Sequence, residues 1–408
     1  LNVVDSIGRR EAYLALLLEY PNASARLARL ASASPWAADY LAQHPVLLDE
    51  LINPQGSSDL PDWPRLRETL RASLDEHEGN TERQMDILRH FKQAQTLRLL
   101  ALDLAGTLSL ETLSDHLSDL ACAVLEEVLR LAWYALRVRH REQPQFAIIG
   151  YGKLGGKELG YASDLDIIFL YDDEDQIAPE VYARLAQRIN TWLASATSAG
   201  ILYETDLRLR PNGAAGLLVS QIDAFREYQA EKAWVWEHQA LTRARFVAGD
   251  AAIGRRFEGI RIEVLCRSRD CAALGSEILS MRDKMRDAHP NVSGLFDLKH
   301  DRGGIVDVEF VVQFLVLGHA HRHAGLTGNI GNLALLKLAA GLGLLPDDLA
   351  AGAHEAYREF RRLQHAMRLQ GERYTRIEPA GVAEHVRVVL QLWEWVFGNV
   401  RRTPVQTG

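Results

Sequence analysis

The sequence predicts an α+β fold in which a small mixed sheet lies between two helical regions. Short apolar runs at residues 146–150, 165–170 and 201–209 are rich in β-branched or aromatic residues, as strands are. On both sides of this segment, leucine and other apolar residues recur at helical spacing, for example over residues 121–141 and 354–369. The strands are therefore expected in the middle of the chain and helices on either side.

Breaks in these patterns divide the chain into three predicted parts. A chain of 408 residues exceeds what a single core usually spans. Gln143-Pro144 ends the first helical pattern, because the residue before a proline is pushed out of helical geometry. We predict a helical inter-domain or regulatory region at residues 1–143, a mixed α+β domain at residues 144–254 and a C-terminal helical bundle at residues 255–408.

The composition is that of a globular protein, with 47% hydrophobic and 25% charged residues. A formal net charge of −8 argues against a chain built mainly to bind nucleic acid, although a local basic pocket for a nucleotide remains compatible with it. Three cysteines give no disulfide framework, and no apolar stretch is long enough to span a bilayer. We therefore expect a cytoplasmic protein without a membrane partner. Because the chain begins at Leu1 without a methionine, we interpret it as a fragment.

A glycine-rich segment, residues 150–160, joins the first two predicted strands. Glycines let backbone N–H groups approach phosphate oxygens, and a helix N-terminus adds a favourable dipole. This arrangement predicts a phosphate-binding turn. The candidate nucleotide-binding residues in and after this segment are Gly152, Lys153, Gly155, Gly156 and Ser163.

Two common phosphate-binding motifs do not fit the segment. A Walker-type loop requires a Gly-Lys-Ser/Thr sequence, which does not follow here. Gly150, Gly152 and Gly155 do match the G-x-G-x-x-G spacing of dinucleotide-binding folds. However, only about nine residues separate Gly155 from Asp164, too few for the crossover helix and second strand of such a unit.

Acidic and basic side chains follow the glycine-rich segment at strand spacing. Asp164 and Asp166 open the second predicted strand and project from one face, where two carboxylates can bind a hard divalent cation. The third predicted strand carries Asp206, Arg208 and Arg210 on one face. If the two strands are neighbours, Asp206 completes a carboxylate triad and the arginines reach a triphosphate. Phosphoryl transfer requires this combination of acid near metal ions and base near phosphates.

Several of these residues also have an ordinary structural explanation. Arg208 and Arg210 could form surface salt bridges, and Lys153 is an exposed lysine beside a loop, which is common. His319 and His323 would share a helix face, but no third ligand is evident for a zinc site. The complete set of three aspartates after a glycine turn favours the metal site over solvated surface carboxylates.

Residues 150–170 together with Asp206 resemble the polymerase-β-type nucleotidyltransferases and, in closer detail, the bifunctional glutamine-synthetase adenylyltransferases. The resemblance covers nearly the whole chain. Further blocks similar to that family lie at residues 34–36, 44–51, 203–211, 234–241 and 303–310. The block at residues 159–166 looks like the family's C-terminal domain, which attaches AMP, rather than its AMP-removing domain.

The resemblance implies that residues 144–254 are a nucleotidyltransferase catalytic domain. This domain would transfer AMP from ATP to a tyrosine hydroxyl of glutamine synthetase and release pyrophosphate by a two-metal-ion mechanism. The modification would lower glutamine synthetase activity in nitrogen regulation. Asp164, Asp166 and Asp206 match the family's metal-binding and catalytic carboxylates, with Mg²⁺ as the expected ion and Mn²⁺ as an alternative. The resemblance also implies a PII-type signal protein as regulator and glutamine as a possible effector.

Other residues and functions remain open at this level. Glu237, His238, Asp307 and Glu309 lie in blocks shared with the family, and they fit either a nucleotide pocket or the protein core. A degenerate module that binds nucleotide without catalysis is disfavoured by the complete aspartate triad. A nucleic-acid nucleotidyltransferase is disfavoured by the acidic balance and by the lack of a basic stripe with interleaved aromatic residues.

Overall fold

A five-stranded mixed sheet organises the computed structural model, which describes residues 18–47 and 60–402. Its strands are β1 (Phe146–Gly150), β2 (Leu165–Tyr171), β3 (Thr205–Asp206), β4 (Val219–Gln221) and β5 (Arg245–Gly249). β1 lies between β2 and β5 and runs antiparallel to both. β3 and β4 both pair with β2 in parallel, β3 at its beginning and β4 at its end.

Helices account for most of the remaining described chain. Those before the sheet are α1 (Pro21–Ala33), α2 (Pro35–Gln43), α3 (Trp63–Asp75), α4 (Thr81–Leu104) and α5 (Leu110–Tyr134). Those within the sheet segment are α6 (Gly152–Gly155), α7 (Ala178–Ala194), α8 (Ile222–Glu231), α9 (Val235–Leu241) and α10 (Ala251–Leu265). Those after it are α11 (Cys271–Ala288), α12 (Ile305–His319), α13 (Asn332–Gly341), α14 (Asp347–Leu369) and α15 (Ala383–Arg402). The predicted α+β class, with a small mixed sheet and helical flanks, is confirmed.

The central strands are apolar along their whole length because helices cover both faces of the sheet. Ile167 and Phe169 of β2 share a core with α5 and α7. Ile168 and Leu170, which alternate with them, share a second core with α8 and α10. Side chains on successive residues of a strand point to opposite faces, so a strand covered on both sides reads as one apolar run.

The third predicted strand is much shorter than expected. The sequence predicts residues 201–209, whereas β3 contains only Thr205 and Asp206. The Arg208 backbone N–H donates a hydrogen bond to Asp206 Oδ1 at 2.8 Å, so the chain turns immediately after Asp206. Aspartate side chains commonly form such turns by accepting a hydrogen bond from the backbone N–H two residues further along the chain. Arg208 and Arg210 therefore follow the strand instead of continuing it.

The C-terminal helices form a separate apolar core that the sequence correctly predicts as helical. One short addition was not predicted: β6 (Phe296–Asp297) pairs antiparallel with β7 (Arg376–Ile377). Strands of two residues are too short to show a period of two, so the pattern gives no signal. The same reason applies to β4, which has three residues.

The three-part domain division remains a prediction. Its second boundary, after residue 254, falls inside α10, and α5 from the first part shares a core with the sheet. The resemblance block at residues 44–51 is described only to Leu47, and residues 48–51 lie outside the described chain, as does Leu1. In the ranges that the structure covers, no helix has the length and apolar character needed to cross a membrane.

A buried carboxylate connects the segment between α5 and β1 to the end of β2. Asp173 Oδ2 lies 2.7 Å from His140 Nε2 and accepts hydrogen bonds from Arg141 Nε at 2.6 Å and from the Tyr182 hydroxyl at 2.8 Å. Burial alone would raise the pKa of Asp173. The hydrogen bonds from Arg141, the Asp175 backbone, His140 and Tyr182 outweigh this effect and hold the pKa well below its usual range.

We expect Asp173→Ala to lower the free energy of unfolding by about 3 kcal/mol, because it leaves several buried donors without an acceptor. The neighbouring Asp172 provides the control, since its ion pair with Arg256 lies near the surface. Asp172→Ala should lower the free energy of unfolding by less than about 1 kcal/mol. Urea unfolding at pH 7.5 measures both, and similar losses in the two variants would contradict the anchoring role of Asp173.

The sign of the pH dependence follows from the lowered pKa. The carboxylate of Asp173 stabilises the fold above the ordinary aspartate pKa of about 4, and this contribution is lost as the pH falls below that value. The stability difference between the wild-type chain and Asp173→Asn should therefore shrink as the pH is lowered from about 5 to 3.

Candidate functional site

Three carboxylates converge where β2 pairs with β3. Asp166 lies opposite Asp206 in the parallel register, and Asp164 immediately precedes β2. One carboxylate oxygen from each of the three residues lies within 4.8 Å of the others. Asp164 is exposed and the other two are half-buried, so the cluster faces solvent on one side. The structure thus brings together the three aspartates that the sequence singles out.

The cluster carries an excess of negative charge that affects its members differently. Burial, followed by repulsion from Asp164 and Asp206, raises the pKa of Asp166 to about 6. The pKa of Asp206 is instead lowered, chiefly by the hydrogen bonds that the Arg208 side chain donates. The ionisation of Asp166 is therefore opposed by its burial and by its two acidic neighbours.

This donor set fits a divalent cation. All three ligating groups are carboxylates, and Mg²⁺ and Mn²⁺ prefer such oxygen ligands. A cation placed among them would offset the repulsion that raises the pKa of Asp166. Among the described residues, these three aspartates are the one group of potential metal ligands close enough together to share an ion. The histidines at positions 319, 321 and 323 do not form such a group.

Gly152 lets the glycine turn approach Asp166. Its φ is +53°, a left-handed conformation that favours glycine, and a Cβ at this position would lie 2.1 Å from Asp166 Oδ2. The preceding residue fixes the turn, because the Tyr151 backbone N–H donates a 2.8 Å hydrogen bond to the Asp166 carbonyl. Gly152 thus holds backbone against the carboxylate cluster, as a phosphate-binding turn beside a metal site requires.

Other residues of the turn are constrained by the segment before β5. A Cβ on Gly155 would lie 2.0 Å from the Arg243 carbonyl oxygen, and one on Gly156 would lie 2.7 Å from Arg243 Nε. Ser163, another sequence candidate, accepts a 3.0 Å hydrogen bond from the Gly160 backbone N–H. These three residues shape the turn in the structure, and their contact with nucleotide remains a prediction.

The two candidate arginines lie in different surroundings. Arg208 is exposed and its guanidinium pairs with the Asp206 carboxylate. Arg210 donates hydrogen bonds to the carbonyl oxygens of Leu207 at 2.7 Å and Ala214 at 3.0 Å. Arg208 therefore lies at the carboxylate cluster, whereas the side chain of Arg210 is engaged in the turn after β3.

Cations from the C-terminal region lie near the glycine turn. Desolvation, and then the neighbouring charges of Lys299 and Arg361, lower the pKa of Lys153. Lys299 follows β6 and Arg361 belongs to α14. Sequence reasoning did not single out either residue, because both lie far from the glycine segment in the chain and neither belongs to a recognisable motif.

An ion-pair network joins the glycine turn to the C-terminal helices. Arg243 contacts Glu158 at 2.6 Å and Glu309 at 2.8 Å, and Arg361 contacts Glu158 at 2.8 Å. The Tyr357 hydroxyl lies 3.2 Å from Glu158 Oε2. Two acids and two bases therefore balance in charge beside the site. Glu309, whose role the sequence left open, belongs to this network.

The other three residues of open role make contacts that stabilise the fold. Glu237 accepts hydrogen bonds from the Tyr228 hydroxyl at 2.9 Å and the Trp234 backbone N–H at 2.9 Å. His238 is buried, which lowers its pKa to about 4, and its Nε2 lies 3.0 Å from the Gln229 carbonyl oxygen. Asp307 accepts a 2.6 Å hydrogen bond from Arg282 and a 2.7 Å hydrogen bond from the Gly303 backbone.

Comparison with known proteins gives matches along most of the chain. Residues 24–260 match the family model described as glutamate-ammonia ligase adenylyltransferase. Residues 278–377 match a second model, described as GlnD PII-uridylyltransferase. The first match includes the glycine turn and all three aspartates of the cluster.

Curated relatives align with nearly all of this chain. Proteins from Nitrosomonas eutropha and Aromatoleum aromaticum are 57% and 59% identical over 98% of it. A protein from Chromobacterium violaceum is 54% identical over 97%. Each is named bifunctional glutamine synthetase adenylyltransferase/adenylyl-removing enzyme, and the chain spans 42–45% of their lengths.

The family assignment rests on agreement between sequence and geometry. The matching family model covers more than half of the 408 residues. Within that range the fold places the glycine turn against a carboxylate cluster suited to a divalent cation. The chain belongs to the glutamate-ammonia ligase adenylyltransferase family.

Proposed function

We propose that this chain transfers AMP from ATP to a tyrosine hydroxyl of glutamine synthetase and releases pyrophosphate. The observation that carries the proposal is the convergence of Asp164, Asp166 and Asp206 beside the turn at Gly152. The names of the relatives support AMP transfer to glutamine synthetase. Those names also include AMP removal, but the block at residues 159–166 resembles the attaching domain, so the proposal is restricted to attachment.

The three aspartates would hold Mg²⁺ or Mn²⁺, which when bound would neutralise phosphate charge and acidify the acceptor hydroxyl. The turn at Gly152 would present backbone N–H groups to the phosphates. Lys153 and Lys299 would offset the remaining phosphate charge, since both are cations near the turn. Arg208 is exposed, so its guanidinium is free to exchange Asp206 for a phosphate oxygen.

In the proposed reaction, the phenolic oxygen of the acceptor forms a bond to the α-phosphorus of ATP. The bond between that phosphorus and the bridging oxygen to the β-phosphate breaks, and pyrophosphate leaves with the electron pair. The phenolic proton passes to solvent, to which the exposed side of the cluster at Asp164 is open. Positioning of both partners and electrostatic stabilisation supply most of the rate in reactions of this type.

We extend the proposal to regulation and location. A PII-type signal protein would regulate the chain and glutamine would act as an effector, in a cytoplasmic enzyme that binds neither nucleic acid nor membrane. The match of residues 278–377 to a model named for PII uridylylation supports the first of these partners. The net charge of −8 supports the proposal that nucleic acid is not a partner of this chain.

Mass spectrometry of glutamine synthetase tests the proposal directly. After incubation with this chain, ATP and Mg²⁺ or Mn²⁺, we expect a mass gain of one adenylyl group on one tyrosine, together with release of pyrophosphate. Omission of the metal ion should abolish the gain. A chain that binds ATP but adds no mass with either metal ion would be a binding module, and the proposal would be rejected.

The variant Asp166→Asn should separate a catalytic from a structural role. Loss of one carboxylate should lower the rate of AMP transfer at least about a hundredfold. The folded-state pKa of Asp166, about 6, exceeds the ordinary value, so its ionised form destabilises the metal-free fold at neutral pH. The same variant should therefore raise the free energy of unfolding by roughly 1–2 kcal/mol in the presence of a chelator.

The control is Asp172→Asn, which changes a carboxylate just beyond β2 that pairs with Arg256 instead of joining the cluster. It should leave the transfer rate near that of the wild-type chain. Transfer assays and urea unfolding at pH 7.5 measure both quantities. A normal transfer rate in Asp166→Asn would exclude the assigned role. So would a loss of stability large enough to leave most of the variant unfolded, because unfolding would then explain its low activity.

Metal affinity should depend on pH through Asp166. Protons compete with the metal ion for this carboxylate, and the fraction ionised falls as the pH drops through about 6. Asp206 stays ionised because Arg208 lowers its pKa. Calorimetric titration with Mn²⁺ should thus give an affinity about tenfold weaker at pH 5 than at pH 7.5. Equal affinities at the two pH values would show that Asp166 is not a ligand.

A further inference from the structure

A cavity of about 370 Å³ lies where α5, the segment after α6 and the C-terminal helices meet. Its walls come from residues 110–115, residues 156–158, residues 329–334 and α14. The three aspartates of the carboxylate cluster are not among its described lining residues. It is therefore a separate feature, although residues 156–158 connect it through the chain to the glycine turn.

One wall contains a buried hydroxyl that lacks a partner. Ser114 is only 2% exposed, and its Oγ has no hydrogen-bond partner among the described residues. The next serine on this face of α5 differs, because the Ser118 hydroxyl donates a 2.8 Å hydrogen bond to the Ser114 carbonyl oxygen. Buried hydroxyls are nearly always hydrogen-bonded in proteins, so an unpartnered one beside a cavity points to a ligand.

The N-terminus of α13 also lines the cavity. This helix begins at Asn332, and no side chain caps it. Gly331 precedes it with φ +85°, and Leu333 and Ala334 of its first turn line the cavity. The first backbone N–H groups of a helix have no partner within the helix, and together with the helix dipole they favour an anion.

Cationic side chains line the same cavity. Lys157 lines the cavity and pairs with no carboxylate in the described ranges. Arg358 also lines it, and its ion pair among the described residues is with Glu355 on its own helix, an exposed contact that contributes little. Glu111 and Asp115 of α5 also line it, and they are exposed carboxylates one helical turn apart. The lining therefore carries cationic side chains from the segment after α6 and from α14, together with carboxylates from α5.

We propose that this cavity binds a small metabolite with a carboxylate or phosphate group at one end and hydrogen-bond donors at the other. The anionic group would lie against the start of α13, Lys157 and Arg358, and the donors would face Glu111 and Asp115. The anionic group would also accept a hydrogen bond from the Ser114 hydroxyl, which would then have a partner. This binding site goes beyond the proposed AMP transfer, and its test does not depend on that reaction.

The occupant would also influence the glycine turn. Gly156 and Glu158 line the cavity, and Glu158 binds Arg243 and Arg361 in the network beside the carboxylate cluster. A ligand that orders residues 156–158 would therefore order the turn that begins at Gly152. The site has the position expected of a small-molecule effector site.

Calorimetry with simple anions tests the site on the whole chain. Inorganic phosphate and acetate are titrated separately, in the presence of Mg²⁺ and a saturating non-hydrolysable ATP analogue that keeps the anions from the carboxylate cluster. We expect saturable binding of at least one anion. The anion that binds more tightly identifies the ligand group as phosphate or carboxylate.

Two matched pairs of variants locate the binding. Arg358→Ala should weaken anion affinity about tenfold, whereas Arg362→Ala, which removes a similar same-helix ion pair away from the cavity, should not. Ser114→Ala should weaken it as well, and Ser118→Ala should not. Thermal unfolding of each variant verifies the fold. Binding of neither anion, or equal weakening by Arg358→Ala and Arg362→Ala, would overturn the proposal.

Discussion

The close approach of backbone to carboxylate at Gly152 is the constraint on which the site depends. A side chain at this position would place its Cβ 2.1 Å from Asp166 Oδ2 and would strain the left-handed backbone, so it would displace the carboxylate from its place in the cluster. The surrounding sheet holds the two segments at this distance, because β1 and β2 are adjacent and antiparallel with Gly150 opposite Ile167. The apolar helices on both faces of the sheet make that pairing rigid.

The fold concentrates like charge in the same place. Pairing of β2 with β3 sets Asp166 opposite Asp206, and Asp164 lies beside them, so their repulsion opposes folding. The Arg208 guanidinium compensates part of this charge. Such strain is typical of functional sites, where residues are arranged for a ligand at the expense of stability.

The C-terminal helices take part in this arrangement. Glu158, which follows the glycine turn, is bound by Arg243 from the segment before β5 and by Arg361 from α14. Glu309 of α12 completes the network through Arg243. Buried ion pairs of this kind hold segments in one relative position better than they add stability. The bundle therefore positions the turn as well as forming its own core.

The sequence alone determined the features that depend on neighbouring residues. Its pattern predicts β1 with the observed ends and β2 to within one residue. It also predicts the glycine turn and the shared face of Asp164 and Asp166, because strand alternation and glycine geometry are local. Tertiary structure decided the rest. The short β3, the five-residue β5 and the cations near Lys153 arise from pairing and packing between distant segments, which one-dimensional periodicity does not encode.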